Sequence, residues 1–137
     1  MKEIRIEPNC EIIEKHSCLA DKDLLLYIPI SVKRIKHLAI DGSAHGKTKY
    51  QLHIFYEGTF EEWKQILKGT LHYVTIEDWY GYYYHNTSRY DVGIEYLKFY
   101  NDNLFEIPII HCSDGEFPDE GAEKFAREHQ EEALEKD

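Results

Sequence analysis

The chain has 137 residues, enough for one domain with its own core and too few for two full ones. Hydrophobic residues make up 42% and charged residues 31%, with 4 Pro and 8 Gly, which excludes collagen-like and low-complexity classes. Lys and Arg number 16 against 26 Asp and Glu, a formal charge of -10, so the field around the protein repels nucleic-acid phosphates and suits a basic partner surface.

No stretch approaches the ~18 to 20 apolar residues needed to cross a bilayer. The start Met1-Lys2-Glu3-Ile4-Arg5-Ile6-Glu7 lacks the apolar run and small-residue cleavage site of a secretory signal. Cys10, Cys18 and Cys112 are odd in number and sparse, which suits reduced thiols rather than a disulfide framework. A cytoplasmic product is expected.

From residue 1 to 113 the chain reads as short apolar runs of strand length broken by Gly, Asn, Asp and Pro. Sliding it by 22 residues brings Ile4, Ile6, Cys10 and Ile13 onto Leu26, Ile28, Val32 and Ile35. That period predicts coils of chain stacked as a solenoid, with side chains one period apart sharing an interior wall. It places Ile6 beside Ile28 and Val32 beside Ile54.

Next in the chain, Gly42-Ser43-Ala44-His45-Gly46-Lys47-Thr48 imitates a phosphate-binding loop but is one residue short of the consensus. A phosphate loop must also hand over to a helix N-terminus, whereas the following Tyr50-Gln51-Leu52-His53-Ile54-Phe55-Tyr56 is strand-like. The segment reads as a turn.

Residues 71–76 and 93–100 carry β-branched and aromatic residues in partial alternation, with turn-like Asn86-Thr87-Ser88 between them, and predict a long hairpin. Eight of the 11 tyrosines fall between 73 and 100, beside Trp79. Consecutive strand residues face opposite sides, so Tyr82, Tyr83 and Tyr84 do not all fit one buried face. Trp79, Tyr80, Tyr82, Tyr83 and Tyr84 are therefore the expected partner-binding aromatics, since Tyr and Trp dominate interface hot spots. The alternative is that these rings cover a thin core from both sides.

Residues 114–137 hold ten acids and three bases. Ala122, Phe125, Ala126, His129, Ala133 and Leu134 recur at spacings of three and four, which predicts an acidic amphipathic helix over 119–135 with Asp119 as N-cap. Glu128, Glu131, Glu132 and Glu135 on its polar face are the expected electrostatic contacts to a basic partner.

Ile28-Pro29-Ile30-Ser31-Val32-Lys33-Arg34-Ile35, with Ala39-Ile40 beyond, resembles the IPxSVxxI…AF repeat of BspA-like bacterial leucine-rich repeats. Ile54-Phe55-Tyr56-Glu57-Gly58-Thr59-Phe60-Glu61-Glu62-Trp63-Lys64-Gln65-Ile66 is similar to the IxYxGTxxEWxxI segment that ends many such arrays, and Ile110-His111-Cys112-Ser113-Asp114-Gly115 to the IHCxDG that follows it. The resemblance implies a mainly β, short leucine-rich-repeat-like solenoid. The expected organisation is one domain: repeat-like coils over 1–69, an aromatic β insertion over 70–106, a closing strand over 107–117 and a C-terminal acidic helix over 118–137.

Two kinds of chemistry draw on the Cys and His residues. Cys10, His16 and Cys18 fall in the first coil and His37 beside them in the second, a possible zinc site in a structural module; alternatively Cys10 and Cys18 are small core hydrophobes at the positions of Val32 and Ile40. For nucleophilic catalysis the local pairs are His16 with Cys18 and His111 with Cys112, and adjacent strand residues point apart. No catalytic site is expected. The expected function is a non-enzymatic, acidic protein-binding module, in a bacterial cell or a phage-infected host. Its charge and size are similar to those of phage-borne inhibitors of nucleic-acid enzymes, anti-CRISPR proteins included. The alternative is a cell-surface adhesion repeat with the same fold.

Overall fold

The computed structural model describes residues 1–44, 46, 48–72 and 99–118. Nine short strands and one helix are present among them: β1 (Lys2–Arg5), β2 (Ile12–Ile13), β3 (Cys18–Ala20), β4 (Leu24–Ile28), β5 (Arg34–Ile35), β6 (Ile40–Gly42), β7 (Leu52–Tyr56), α1 (Phe60–His72), β8 (Ile109–Cys112) and β9 (Gly115–Pro118). The protein is mainly β, with open sheets. The hairpin expected over 71–100 and the helix expected over 119–135 fall largely outside the described residues. Leu71 and His72, expected to begin a strand, instead end α1.

Three parallel ladders set the architecture. Lys2 pairs with Leu24, Ile12 with Arg34 and Cys18 with Ile40, an offset of 22 residues in every case. The chain from β1 to β3 therefore lies rung on rung against the chain from β4 to β6. The Ile6 amide donates to the Tyr27 carbonyl at 2.9 Å, which carries the first ladder one step further and sets Ile6 beside Ile28, as the period requires. Even the turns match: His16 and Leu38, also 22 apart, both adopt positive φ, 59° and 52°, and the His16 amide donates to the Leu38 carbonyl at 3.0 Å. A leucine in that region is sterically costly, so the turn is imposed by the stacking on either side of it.

The third rung departs from the period. Leu24 pairs with Leu52 and Leu26 with Ile54, an offset of 28. Ile54 thus lies beside Leu26 and not beside Val32, because the loop between β6 and β7 is longer than its counterpart between β3 and β4. Loop closure entropy grows only slowly with length, so the insertion leaves the register of the strand free to be set by burial. The single closing strand expected over 107–117 is two strands: β8 pairs parallel with β7, and β9 returns antiparallel on β8. One five-stranded sheet results, ordered β1-β4-β7-β8-β9.

Alternation then sorts the side chains. Along β4 and β7, Leu24, Leu26, Ile28, Leu52, Ile54 and Tyr56 point inward and are buried, while Leu25, Tyr27, His53 and Phe55 point outward and are half-buried. Each buried aliphatic contributes about 1.5–3 kcal/mol. Ile13, Val32, Ile35, Cys18 and Ile40 belong to the same buried core.

The resembling motifs turn out to be joints. Ser31 Oγ donates to the Cys10 carbonyl at 2.8 Å, tying the second coil back to the first. Thr59 and Glu62 form a reciprocal N-cap on α1: the Glu62 amide donates to Thr59 Oγ1 at 3.2 Å and the Thr59 amide to Glu62 Oε1 at 3.1 Å. The Phe60 amide donates to Asp114 Oδ1 at 3.0 Å and the Ser113 amide to the Gly58 carbonyl at 2.9 Å, so the turn between β8 and β9 caps a helix more than 50 residues away in sequence. Trp63, Ile66 and Leu67 bury the inner side of α1 against β5. Phe99 meets Trp63 edge-on at 5.8 Å, and Asn101 bonds back to Ile40, which returns the chain to the second coil. Tyr100, counted among the aromatics of the expected insertion, is buried here.

Gly42 tests the stacking directly. A Cβ at this position would collide with the Ala20 carbonyl in the facing rung, a backbone atom that has nowhere to move. Gly42→Ala is expected to separate β3 from β6 and to cost about 2–4 kcal/mol; thermal unfolding followed by circular dichroism gives the value, and an unchanged midpoint would contradict this rung.

Candidate binding surface

The outward positions of the five-stranded sheet form a row. Register aligns Arg5 with Tyr27, Tyr27 with Phe55, Phe55 with His111 and His111 with Glu116, so one line of side chains crosses all five strands. The Arg5 guanidinium sits 4.0 Å above the Tyr27 ring. Tyr27 and Phe55 stack with centroids 4.8 Å apart, and Phe55 and His111 stack at 4.3 Å with planes only 10° apart. These separations are close to the ~4.8 Å between strands, so the rings face one another along the sheet and turn their edges outward. Each aromatic pair adds about 0.5–1.5 kcal/mol beyond its buried area.

The row ends in polar groups. His111 Nδ1 lies 3.1 Å from Glu116 Oε1, and His111 Nε2 lies 3.0 Å from Nδ1 of His53 in the neighbouring line. Beside the row runs an open groove of about 420 Å³ lined by Tyr27, Pro29, Phe55, Glu57, His111 and Ser113. The result is a ridge of ring edges with Arg5 at one end and Glu116 at the other, and with Glu57 in the groove beside it.

The residues expected from sequence to carry binding, Trp79, Tyr80, Tyr82, Tyr83, Tyr84, Glu128, Glu131, Glu132 and Glu135, lie outside the described residues. The four expected zinc ligands are described and do not converge; among the described residues no group of three His, Cys, Asp or Glu side chains is placed to hold a metal. Cys18 is fully buried at a ladder position opposite Ile40, the small core hydrophobe of the alternative reading, and burial pushes its thiol up from the ordinary value. Cys10 Sγ donates to the Ile12 carbonyl at 3.3 Å. His16 Nε2 lies 3.2 Å from Asp41 Oδ2, whose other oxygen accepts from the Gly42 amide and from Asn101 Nδ2. His16 and Asp41 are thus part of the coil stacking. His37 makes an interaction of its own.

Arg5, Tyr27, His53, Phe55 and Glu116 were not singled out by sequence reasoning, although His111 was. A signal existed: in β7 an aromatic or histidine falls on each outward position between aliphatics, as in Leu52-His53-Ile54-Phe55, and His111 follows the buried Ile110 in the same way in β8. Their alignment into one row depends on offsets of 22, 28 and 56 residues between paired strands.

No family model matches the chain, and neither a curated protein nor a solved structure matches it. No helix among the described residues is long and apolar enough to cross a membrane.

Cys112, at the end of the groove, has its thiol pushed up to about 11 by partial burial, with the Asp114 carboxylate adding to the effect. Since the thiolate is the reactive form, alkylation of Cys112 by iodoacetamide at pH 8 is expected to be at least about tenfold slower than that of free cysteine, and to rise about tenfold per pH unit toward 11. Mass spectrometry of the modified peptide reads both; a rate equal to that of free cysteine would contradict the assigned environment.

Proposed function

We propose that this chain is a non-enzymatic binding module of the BspA-like leucine-rich-repeat type whose outer sheet face engages a basic protein. The observation that carries the reading is the Tyr27, Phe55 and His111 stack, half-buried and edge-out on a continuous parallel sheet. Apolar rings held rigidly by one another lose little entropy on contact, which is what an interface anchor requires. The repeat assignment is supported by the common 22-residue offset of three ladders and by the structural parts played by Ser31, Thr59, Glu62, Trp63 and Asp114 within the resembling motifs.

The formal charge of -10 supports a basic partner, because long-range attraction raises the rate of encounter while the ridge supplies short-range contact. Enzymes that act on nucleic acids carry such basic surfaces, and inhibition of one by occupation of its phosphate-binding face is the form of action this reading favours. Cys112, with its thiol held protonated beside His111, is poorly suited to act as a nucleophile, in keeping with a binding role.

Immobilised protein exposed to cell lysate at low salt is expected to retain a basic partner that elutes as salt is raised. Phe55→Ala is expected to weaken that retention by about tenfold or more, the usual weight of a central aromatic anchor, with Tyr27→Ala as a second variant and circular dichroism to show that both fold. Equal retention by both folded variants would remove the ridge from the interface.

A further inference from the structure

We propose that Glu116, His111 and His53 form a relay that presents Nε2 of His53 on the outer face as a hydrogen-bond acceptor for a cationic side chain of the basic partner. This deepens the binding reading above and rests on it for the identity of the donor, though not for the relay itself.

The proton positions follow from the contacts. A carboxylate only accepts, so Nδ1 of His111, 3.1 Å from Glu116 Oε1, carries the proton; a lone pair there would face a carboxylate oxygen. Neutral His111 then has an unprotonated Nε2, and that atom lies 3.0 Å from His53 Nδ1 within a hydrogen bond. His53 Nδ1 must therefore be the donor. In neutral His53 this leaves Nε2 as the lone-pair nitrogen. It makes no hydrogen bond among the described residues and is not among the polar atoms sealed from solvent without a partner. Contacts among residues from β7, β8 and β9 thus leave one basic nitrogen without a partner among the described residues.

The neighbours leave this nitrogen unopposed. His53 is flanked across the strands by Leu25 and Ile109, both uncharged. The charged groups around the relay are Glu116 on β9, Glu57 beyond β7, and Glu3 and Arg5 two strands away on β1, where Arg5 is held over Tyr27 and by Glu3 at 3.9 Å. Cys112, next to His111, stays neutral. A lysine or arginine arriving at the ridge therefore meets a lone pair with carboxylates behind it. Stacking of His111 on Phe55 holds the relay's middle ring in plane, so Phe55 acts as a positioning residue as well as an anchor.

Ring-nitrogen NMR of the free protein tests the relay without any partner. Protons on Nδ1 of both His53 and His111 at pH 8, with His53 Nε2 unprotonated, are expected; a proton on His53 Nε2 overturns the proposal. Glu116→Gln is expected to shift His111 toward a mixture of tautomers, a change that a merely structural Glu116 would not produce. A hexa-arginine peptide then serves as the probe for the donor. Its addition at pH 8 is expected to move the His53 Nε2 resonance, and His53→Ala to weaken the peptide by about fivefold. Peptide binding unchanged in His53→Ala overturns the acceptor role, whereas failure of the wild-type protein to bind the peptide at all overturns the basic-partner reading and leaves the NMR result to judge the relay.

Discussion

Parallel pairing of successive chain segments, rung against rung, is the constraint on which the rest of this structure depends. Each strand is short, between two and five residues, and none would persist alone. Stacking supplies what length does not: the backbone groups of one rung satisfy those of the next, and Leu24, Leu26, Ile28, Leu52 and Ile54 bury against one another in the same step. Because side chains alternate along a strand, a slip of one residue would send this entire set into water. Register and core therefore stabilise each other, and Leu38 adopts an unfavourable left-handed turn rather than break the pairing.

Segments far apart in sequence lock the stack. The β8 and β9 hairpin reaches back to the start of α1, where Asp114 accepts from the Phe60 amide and Ser113 donates to Gly58. The helix in turn covers β5 with Trp63, Ile66 and Leu67, and Phe99 packs on Trp63 as the chain returns. A cap is worth about 1 kcal/mol on its own. Its larger effect here is topological, since it holds the last parallel strand in line with β7 and so completes the outer face.

That face differs from an ordinary solvated sheet surface in how its groups are satisfied. Ring faces are consumed within the row, by Arg5 on Tyr27, Tyr27 on Phe55 and Phe55 on His111, which leaves apolar edges outward. Polar groups are drawn into the contacts of Glu116 with His111 and of His111 with His53. Under the proposed reading, the charge of the whole protein brings a basic partner in, the ridge gives it a rigid place to rest, and His53 decides whether its cation finds an acceptor.

Much of the interior was legible from side-chain order alone. The 22-residue period was visible because inward aliphatics recur at it, Cys18 fell at the position of Ile40 in the repeat, and β7 showed as alternation after the loop at Gly42. The offset of 28 was not legible, since a surface loop absorbs extra residues at little cost. Helix α1 was missed although Thr59 and Glu62 stand at capping-box spacing, because Trp63, Ile66 and Leu67 make too short an apolar stripe to stand out among strand-length runs. The aromatic row was hidden for a different reason. Alternation along a strand tells which face a residue takes, and that much the order of amino acids determined for Tyr27, Phe55 and His111; which strands become neighbours, and at what register, depends on the burial of the whole stack, so only the folded chain could set Arg5, Tyr27, Phe55, His111 and Glu116 in one line.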